Sequence, residues 1–235
     1  MKPIIVGHRG VSGHYPENTF ASVKAAIEQK LEWIEVDIQP TKCGELVVCH
    51  DHEISRCSNG RGRVDEYTLE QLQQFDFGGW FAKEFEGQTI MTLKQLLALG
   101  QQHQLSINIE VKLDKNNARQ VVSTLKTQLA ESGYPTEKLI LSSFSASVMQ
   151  ELHKQCGHFK LGLISEKLSG DDMTILTDIK AYSCHLDYST VTPEHLHQLK
   201  QAGYKIWCYT VNDPEKFVLL DQVDAIFTDF PERYS

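Results

Sequence analysis

The sequence predicts an α/β chain folded as a (β/α)8 TIM barrel, with a β-hairpin following strand two and a small inserted subdomain after the early strands. Three observations predict it. Short β-branched runs alternate with amphipathic stretches along the chain, the pattern of βαβ units and a parallel sheet. The length, 235 residues, suits one barrel, expected to occupy 1–235 as one domain. Polar and charged residues collect at the C-terminal ends of the apolar runs, where barrels of this class carry their chemistry.

Strands are expected at 4–8, 33–38, 45–50, 105–112, 139–143, 159–164, 181–187, 205–210 and 225–228. Helices are expected at 19–31, 92–103, 116–131, 145–156, 169–178, 193–202 and 213–221, with a short one near 68–75. Thr92 is a good N-cap before Leu93, and Pro193 after Thr192 suits a first turn. Gly100, Gly133, Gly157 and Gly203 mark helix ends or the turns past them. Nine strands are one too many for the barrel. Gln39 to Gly44 is too short for a parallel crossover, so 45–50 reads as the return arm of a hairpin turning near Lys42-Cys43-Gly44. That turn folds position 50 opposite position 36 and sets His50 beside Glu35 and Asp37. The stretch 51–91 breaks the alternation and reads as a cap-like insertion. Its aromatics Phe75, Phe77, Trp80, Phe81 and Phe85 are expected mainly as a satellite core, with a wall of the substrate cleft as the other reading.

Hydrophobic content of 41% and charged content of 23% are ordinary for a globular chain. A net charge of −8 argues against a general nucleic-acid surface. No stretch reaches the length of a membrane span, and Met1-Lys2-Pro3 leads straight into Ile4-Ile5-Val6, too short for a secretory leader. The six cysteines form no zinc pattern and read as reduced thiols, so the expected location is cytoplasmic.

The expected strand ends define a site. Glu35 and Asp37 are two apart, so both point to one face of a strand. Glu110 and Lys112 repeat that spacing on another strand, and inward-facing residues of a barrel converge. Three converging carboxylates repel unless a hard divalent cation joins them, and all-oxygen ligation favours Mg2+ or Ca2+ over zinc. The competing reading is a salt-bridge network with Lys112 or Arg9. His8 and His50, at strand ends beside this cluster, suit general acid and base. Arg9 and Lys112 suit an anionic transition state, and a phosphodiester needs this whole set. Phe144 and Trp207 are candidates for the substrate pocket. His185 and Asp187 end a strand and stay open between cleft and core.

In order along the chain stand His8-Arg9-Gly10, Pro16-Glu17-Asn18-Thr19, Glu35-Val36-Asp37, His50-Asp51, Asp76-Phe77-Gly78-Gly79-Trp80-Phe81, Asn108-Ile109-Glu110-Val111-Lys112, Trp207 to Asn212 and Thr228-Asp229-Phe230-Pro231. On these motifs the chain resembles glycerophosphodiester phosphodiesterases, particularly the compact bacterial cytosolic kind. The resemblance implies a (β/α)8 barrel that hydrolyses glycerophosphodiesters, such as glycerophosphocholine or glycerophosphoethanolamine, to sn-glycerol 3-phosphate and an alcohol. It implies His8 and His50 as the acid/base pair, Glu35, Asp37 and Glu110 as ligands of Mg2+ or Ca2+, and Arg9 and Lys112 as phosphate-binding cations. The chain departs from the family pattern at Cys43, at Arg56-Cys57-Ser58 and at Met91. Two rival readings are a lysophospholipase D, needing an acyl track along Phe77, Trp80, Phe81 and Phe85, and a non-catalytic barrel that binds a phosphorylated ligand. The expected partner is a small-molecule substrate, without nucleic acid or stable membrane insertion; the sequence leaves the oligomeric state open.

Overall fold

In the computed structural model, which describes residues 2–234, the chain closes into a barrel of eight parallel strands. Among the described residues ten strands occur in chain order: β1 (Ile4–His8), β2 (Trp33–Pro40), β3 (Leu46–Val48), β4 (Met91–Thr92), β5 (Ser106–Val111), β6 (Leu139–Ser143), β7 (Lys160–Ser165), β8 (Ser183–Asp187), β9 (Lys205–Tyr209) and β10 (Ala225–Thr228). β1 pairs in parallel with both β10 and β2, which closes the ring and leaves no edge in the barrel itself. β3 and β4 lie outside the ring, antiparallel to β2 and β3 respectively.

The hairpin register matches the expectation. Ile38 faces Val48, Gln39 faces Val47 and Pro40 faces Leu46, so the next pairs along set residue 50 beside residue 36. The Cys49 amide also donates to the Asp37 carbonyl at 3.0 Å. One expected element was wrong. The 213–221 stretch is not an α-helix but two 3-10 turns, Pro214–Lys216 and Leu220–Gln222. Its apolar run is contiguous rather than spaced for one face, and Val218 is 89% exposed. β4 is an addition that the alternation missed, because two residues carry no periodicity.

Helices α1 (Phe20–Glu28), α2 (Leu69–Leu72), α3 (Leu93–Gln102), α4 (Ala118–Ser132), α5 (Ala146–Cys156), α6 (Gly170–Asp178) and α7 (Pro193–Gln201) start at side-chain caps. Thr19, Thr92 and Ser169 form reciprocal capping boxes with Ser22, Gln95 and Asp172. Among the described residues no helix is long and apolar enough to cross a membrane.

Strand alternation sorts the core into two shells. Ile107, Ile109, Leu139, Leu141, Leu161, Leu163, Cys184, Leu186 and Ile206 point outward and pack under the helices. Val6, Trp33, Ile140, Trp207, Ala225 and Phe227 point inward and fill the barrel. The insertion has its own apolar cluster, in which Ile54, Val64, Leu72, Phe77 and Ile90 pack with Val47 and Cys49 of the hairpin. Phe75 joins that satellite core, but Trp80, Phe81 and Phe85 do not. They form a string of ring contacts that ends on Tyr15, at centroid separations of 5.6, 5.8 and 5.4 Å. All six cysteines are free thiols, and only Cys43 is exposed.

Candidate active site

The Gly7-His8-Arg9-Gly10 segment turns sharply at the end of β1. Arg9 sits in the left-handed region at φ 53°, which aims its amide at Glu35 Oε2 (3.1 Å). Its carbonyl accepts from the Asn18 amide (3.1 Å) and from Ser22 Oγ (2.9 Å). Gly10, at φ 86°, lies so close to α1 that a Cβ would meet the Ser22 carbonyl oxygen at 2.7 Å. The turn therefore needs glycine there, and it anchors the first helix to the strand carrying His8.

Glu35, Asp37 and Glu110 converge from β2 and β5 as the spacing required. They are buried, and each offers an oxygen within 4.8 Å of the others. Lys112 Nζ bridges Asp37 Oδ1 (3.1 Å) and Glu110 Oε1, and Arg9 Nε lies 3.4 Å from Asp37 Oδ2. Asn18 Nδ2 adds a hydrogen bond to Asp37 Oδ2 (2.9 Å). Burial would raise Asp37, but Lys112 and Arg9 outweigh it and hold the carboxyl below its usual range. Glu35 is pushed well up by burial and by Asp37 and Glu110, and Glu110 is pushed up to about 7 by burial and Asp37. Glu35 Oε1 is buried with no hydrogen-bond partner. Two cations against three carboxylates leave negative charge uncompensated, and an orphaned carboxylate oxygen faces the gap. A hard divalent cation supplies both the missing charge and the missing partner.

Both histidines are held by carboxylates. His8 Nδ1 donates to Asp229 Oδ1 at 2.6 Å, and His8 Nε2 is turned to the carboxylate cluster, 3.9 Å from Glu35 Oε2. Asp229 also accepts from Ser12 Oγ (2.7 Å) and Asn212 Nδ2 (2.6 Å). Burial would raise Asp229, but the hydrogen bond from His8 outweighs it and keeps the group ionised. His50 Nδ1 donates to Asp51 Oδ1 at 2.6 Å, and Asp51 Oδ2 accepts from Arg56 Nε at 2.6 Å. Arg56 then grips both oxygens of Glu17 (2.8 Å each), and Glu17 Oε1 accepts from Arg9 Nη1 at 2.6 Å. A chain of alternating charge thus runs from His50 through the insertion to Arg9. Burial holds the His50 imidazole below its ordinary pKa against the pull of Asp37.

Around these groups lies a cavity of about 130 Å3, lined by His8, Arg9, Glu35, His50, Glu110 and Lys112 on its polar side. Phe144 and Tyr209, with ring centroids 6.0 Å apart, also line it, the Phe144 ring beneath Lys112 Nζ at 5.7 Å, and Phe144 is 46% exposed. Phe144 is therefore where a pocket residue should be. Trp207 is not: it is 1% exposed, stacked on His185 inside the barrel, and absent from the cavity wall. The rim residue of β9 is Tyr209, two residues on. His185 lines the cavity, whereas Asp187 turns away to cap Ser189. Sequence reasoning assigned no role to Glu17, Asn18, Asp51, Arg56 or Asp229. Those residues lie on loops or just past strand ends, where no period exists to mark them; only their motif context flagged them.

Fold and site together define a (β/α)8 barrel phosphodiesterase built around a divalent-metal site. The glycerophosphoryl diester phosphodiesterase family model matches residues 8–233, and the chain belongs to that family. It is 34% identical to a glycerophosphodiester phosphodiesterase of Caldanaerobacter subterraneus subsp. tengcongensis, over 99% of this chain and 96% of the relative. It is 33% identical to one from Bacillus altitudinis, over 97% and 95%. Among solved structures it resembles an Oleispira antarctica phosphodiesterase in complex with the product sn-glycerol-3-phosphate, with a TM-score of 0.94, 28% identity and 99% and 95% coverage.

Proposed function

We propose that this chain, acting as one domain, hydrolyses glycerophosphodiesters to sn-glycerol 3-phosphate and an alcohol. The observation that carries the reading is the convergence of Glu35, Asp37 and Glu110 beneath two carboxylate-held imidazoles. Family membership and the Oleispira antarctica complex with sn-glycerol-3-phosphate support it. Glu35, Asp37 and Glu110 would hold Mg2+ or Ca2+. When bound, such an ion supplies Lewis acidity and neutralises the phosphoryl oxygens. Arg9 and Lys112 add fixed positive charge to the same oxygens.

The imidazoles divide the proton work. Asp229 and Asp51 fix the Nδ1–H tautomers, so each Nε2 is free for the cleft. One Nε2 accepts a proton from water as the water oxygen forms its bond to phosphorus. The ester P–O bond breaks with its electron pair on the alcohol oxygen, which takes a proton from the other imidazole. One water is consumed, and glycerol 3-phosphate and the alcohol leave.

A lysophospholipase D would need an acyl track into this cleft. Phe77, Trp80, Phe81 and Phe85 do not line it, which favours the water-soluble diesters. The test is product release across headgroups. Glycerol 3-phosphate should appear from glycerophosphocholine and glycerophosphoethanolamine, and lysophosphatidylcholine should be a poorer substrate. Preference for lysophosphatidylcholine would contradict the headgroup assignment. Binding without release of phosphate ester or alcohol would instead favour a non-catalytic barrel.

A further inference from the structure

Beneath the carboxylates the barrel interior changes character. Most of the inner shell is apolar, but Asn108, Ser142, Ser183 and His185 form a polar arc from β5 to β8. Asn108 Nδ2 donates to Ser142 Oγ (3.0 Å), and Ser183 Oγ and His185 Nε2 are hydrogen-bonded at 2.9 Å. Gly162 of β7 makes room for the ring: a Cβ there would lie 2.6 Å from His185 Nε2. Trp207 stacks on the opposite face at 5.2 Å and 13°. The imidazole is thus clamped between strands, fully buried, at the bottom of the cavity that His8 and His50 top.

Two polar atoms of this arc lack a partner, His185 Nδ1 and Asn108 Oδ1, and both residues line the cavity. A buried polar atom left unpaired is costly, so each is expected to meet a group that enters the cavity. Burial pushes His185 down to about 3, so it is neutral at ordinary pH. A neutral imidazole and an amide oxygen do not attract phosphate. They suit a group that both donates and accepts, and a hydroxyl does so whichever tautomer His185 adopts. The phosphate belongs higher up, with Arg9 and Lys112.

We propose that His185 and Asn108 form a floor subsite for the glycerol hydroxyl remote from phosphorus, and that this subsite selects glycerol esters over other phosphodiesters. The proposal rests on the glycerophosphodiesterase reading above. It seats the invariant glycerol half of the substrate at the closed end of the cavity. The variable alcohol then faces the open end, beside the half-exposed Phe144.

The test compares choline release from glycerophosphocholine with release from its 1-deoxy analogue, the phosphocholine ester of propane-1,2-diol. Wild-type kcat/KM should fall about 10–100-fold on removal of that hydroxyl. His185→Phe keeps a flat ring against Trp207 and removes the nitrogens. It should lower kcat/KM for the parent substrate to the level of the analogue, leaving the two within about 3-fold of each other. A wild type that turns over both substrates equally overturns the floor subsite, and a buried water then fills the arc. A His185→Phe variant that loses the same factor on both substrates also overturns it, since a purely structural role predicts that pattern. If this variant does not fold, the wild-type comparison alone decides. No choline release from the parent substrate would overturn the functional reading itself, and the proposal with it.

Discussion

His8 and His50 each donate Nδ1–H to a carboxylate at 2.6 Å, yet different parts of the molecule hold the two carboxylates. Asp229 follows β10 and is gripped by Ser12 and Asn212, neutral partners on short loops of the barrel. Asp51 follows the hairpin and is gripped by Arg56, a side chain 45% exposed on the insertion, which is itself tied to Glu17. One imidazole is therefore positioned by the barrel, the other by an ion-pair chain that crosses onto the insertion. The first arrangement should tolerate changes in salt. The second should respond to them, because exposed ion pairs are screened. The insertion thereby connects His50 to Arg9, the imidazole proposed to carry a proton to the cation proposed to bind phosphate.

Removing the imidazoles should have the largest effect. His8→Ala and His50→Ala are each expected to lower turnover by at least ~10². Full activity in either variant would remove that residue from the chemistry. Loss of the carboxylates should separate the two regions. Asp229→Ala is expected to lower kcat by about 10–100-fold at all salt concentrations, the scale of losing an orienting partner. Arg56→Ala should cost about 3–10-fold at low salt, and the gap to wild type should shrink as salt is raised. Equal salt responses in the Asp229 and Arg56 variants would erase the distinction drawn between the stations.

The smallest predicted effect is thermal. Glu110 has a folded-state pKa near 7, above its ordinary value, so the folded protein binds a proton more tightly than the unfolded chain between those values. Its contribution without metal is full below its ordinary pKa and is lost as pH rises through about 7. The neutral, buried His185 acts in the opposite sense, its contribution being lost as pH falls from its ordinary value towards about 3. The clean readout is therefore the metal-induced rise in Tm rather than Tm itself. That rise should be larger at pH 8 than at pH 5.5, because a cation needs Glu110 ionised. An equal rise at both pH values would detach Glu110 from the metal.

Much of this was legible in the sequence, and the successes have physical reasons. The parity of Glu35 and Asp37 set both on the inner face. The six residues from Gln39 to Gly44 forced the hairpin, and the hairpin fixed the register that brings His50 to the cluster. Trp207 shows where such reasoning stops. Alternation says that it points inward but not how deep it lies, and a two-residue step along a strand is about 6–7 Å of depth. It is packing in the floor, while Tyr209 and Phe144 stand at the rim. The partners of Asp51 and Asp229 were illegible for another reason: Arg56 reaches Asp51 from only five residues on, but a loop carries no period to show it, and Ser12 and Asn212 meet Asp229, as Glu17 meets Arg56, from loops far apart in sequence. Only the closed barrel brings those loops together.

The central claim is a phosphodiesterase whose three buried carboxylates work through a divalent cation. The most direct measurement is glycerol 3-phosphate release from glycerophosphocholine by protein stripped with EDTA, then resupplied with Mg2+ or Ca2+. The account predicts loss of release on stripping, recovery with one of the two ions, and no recovery in Glu110→Ala. Undiminished release in EDTA would contradict it.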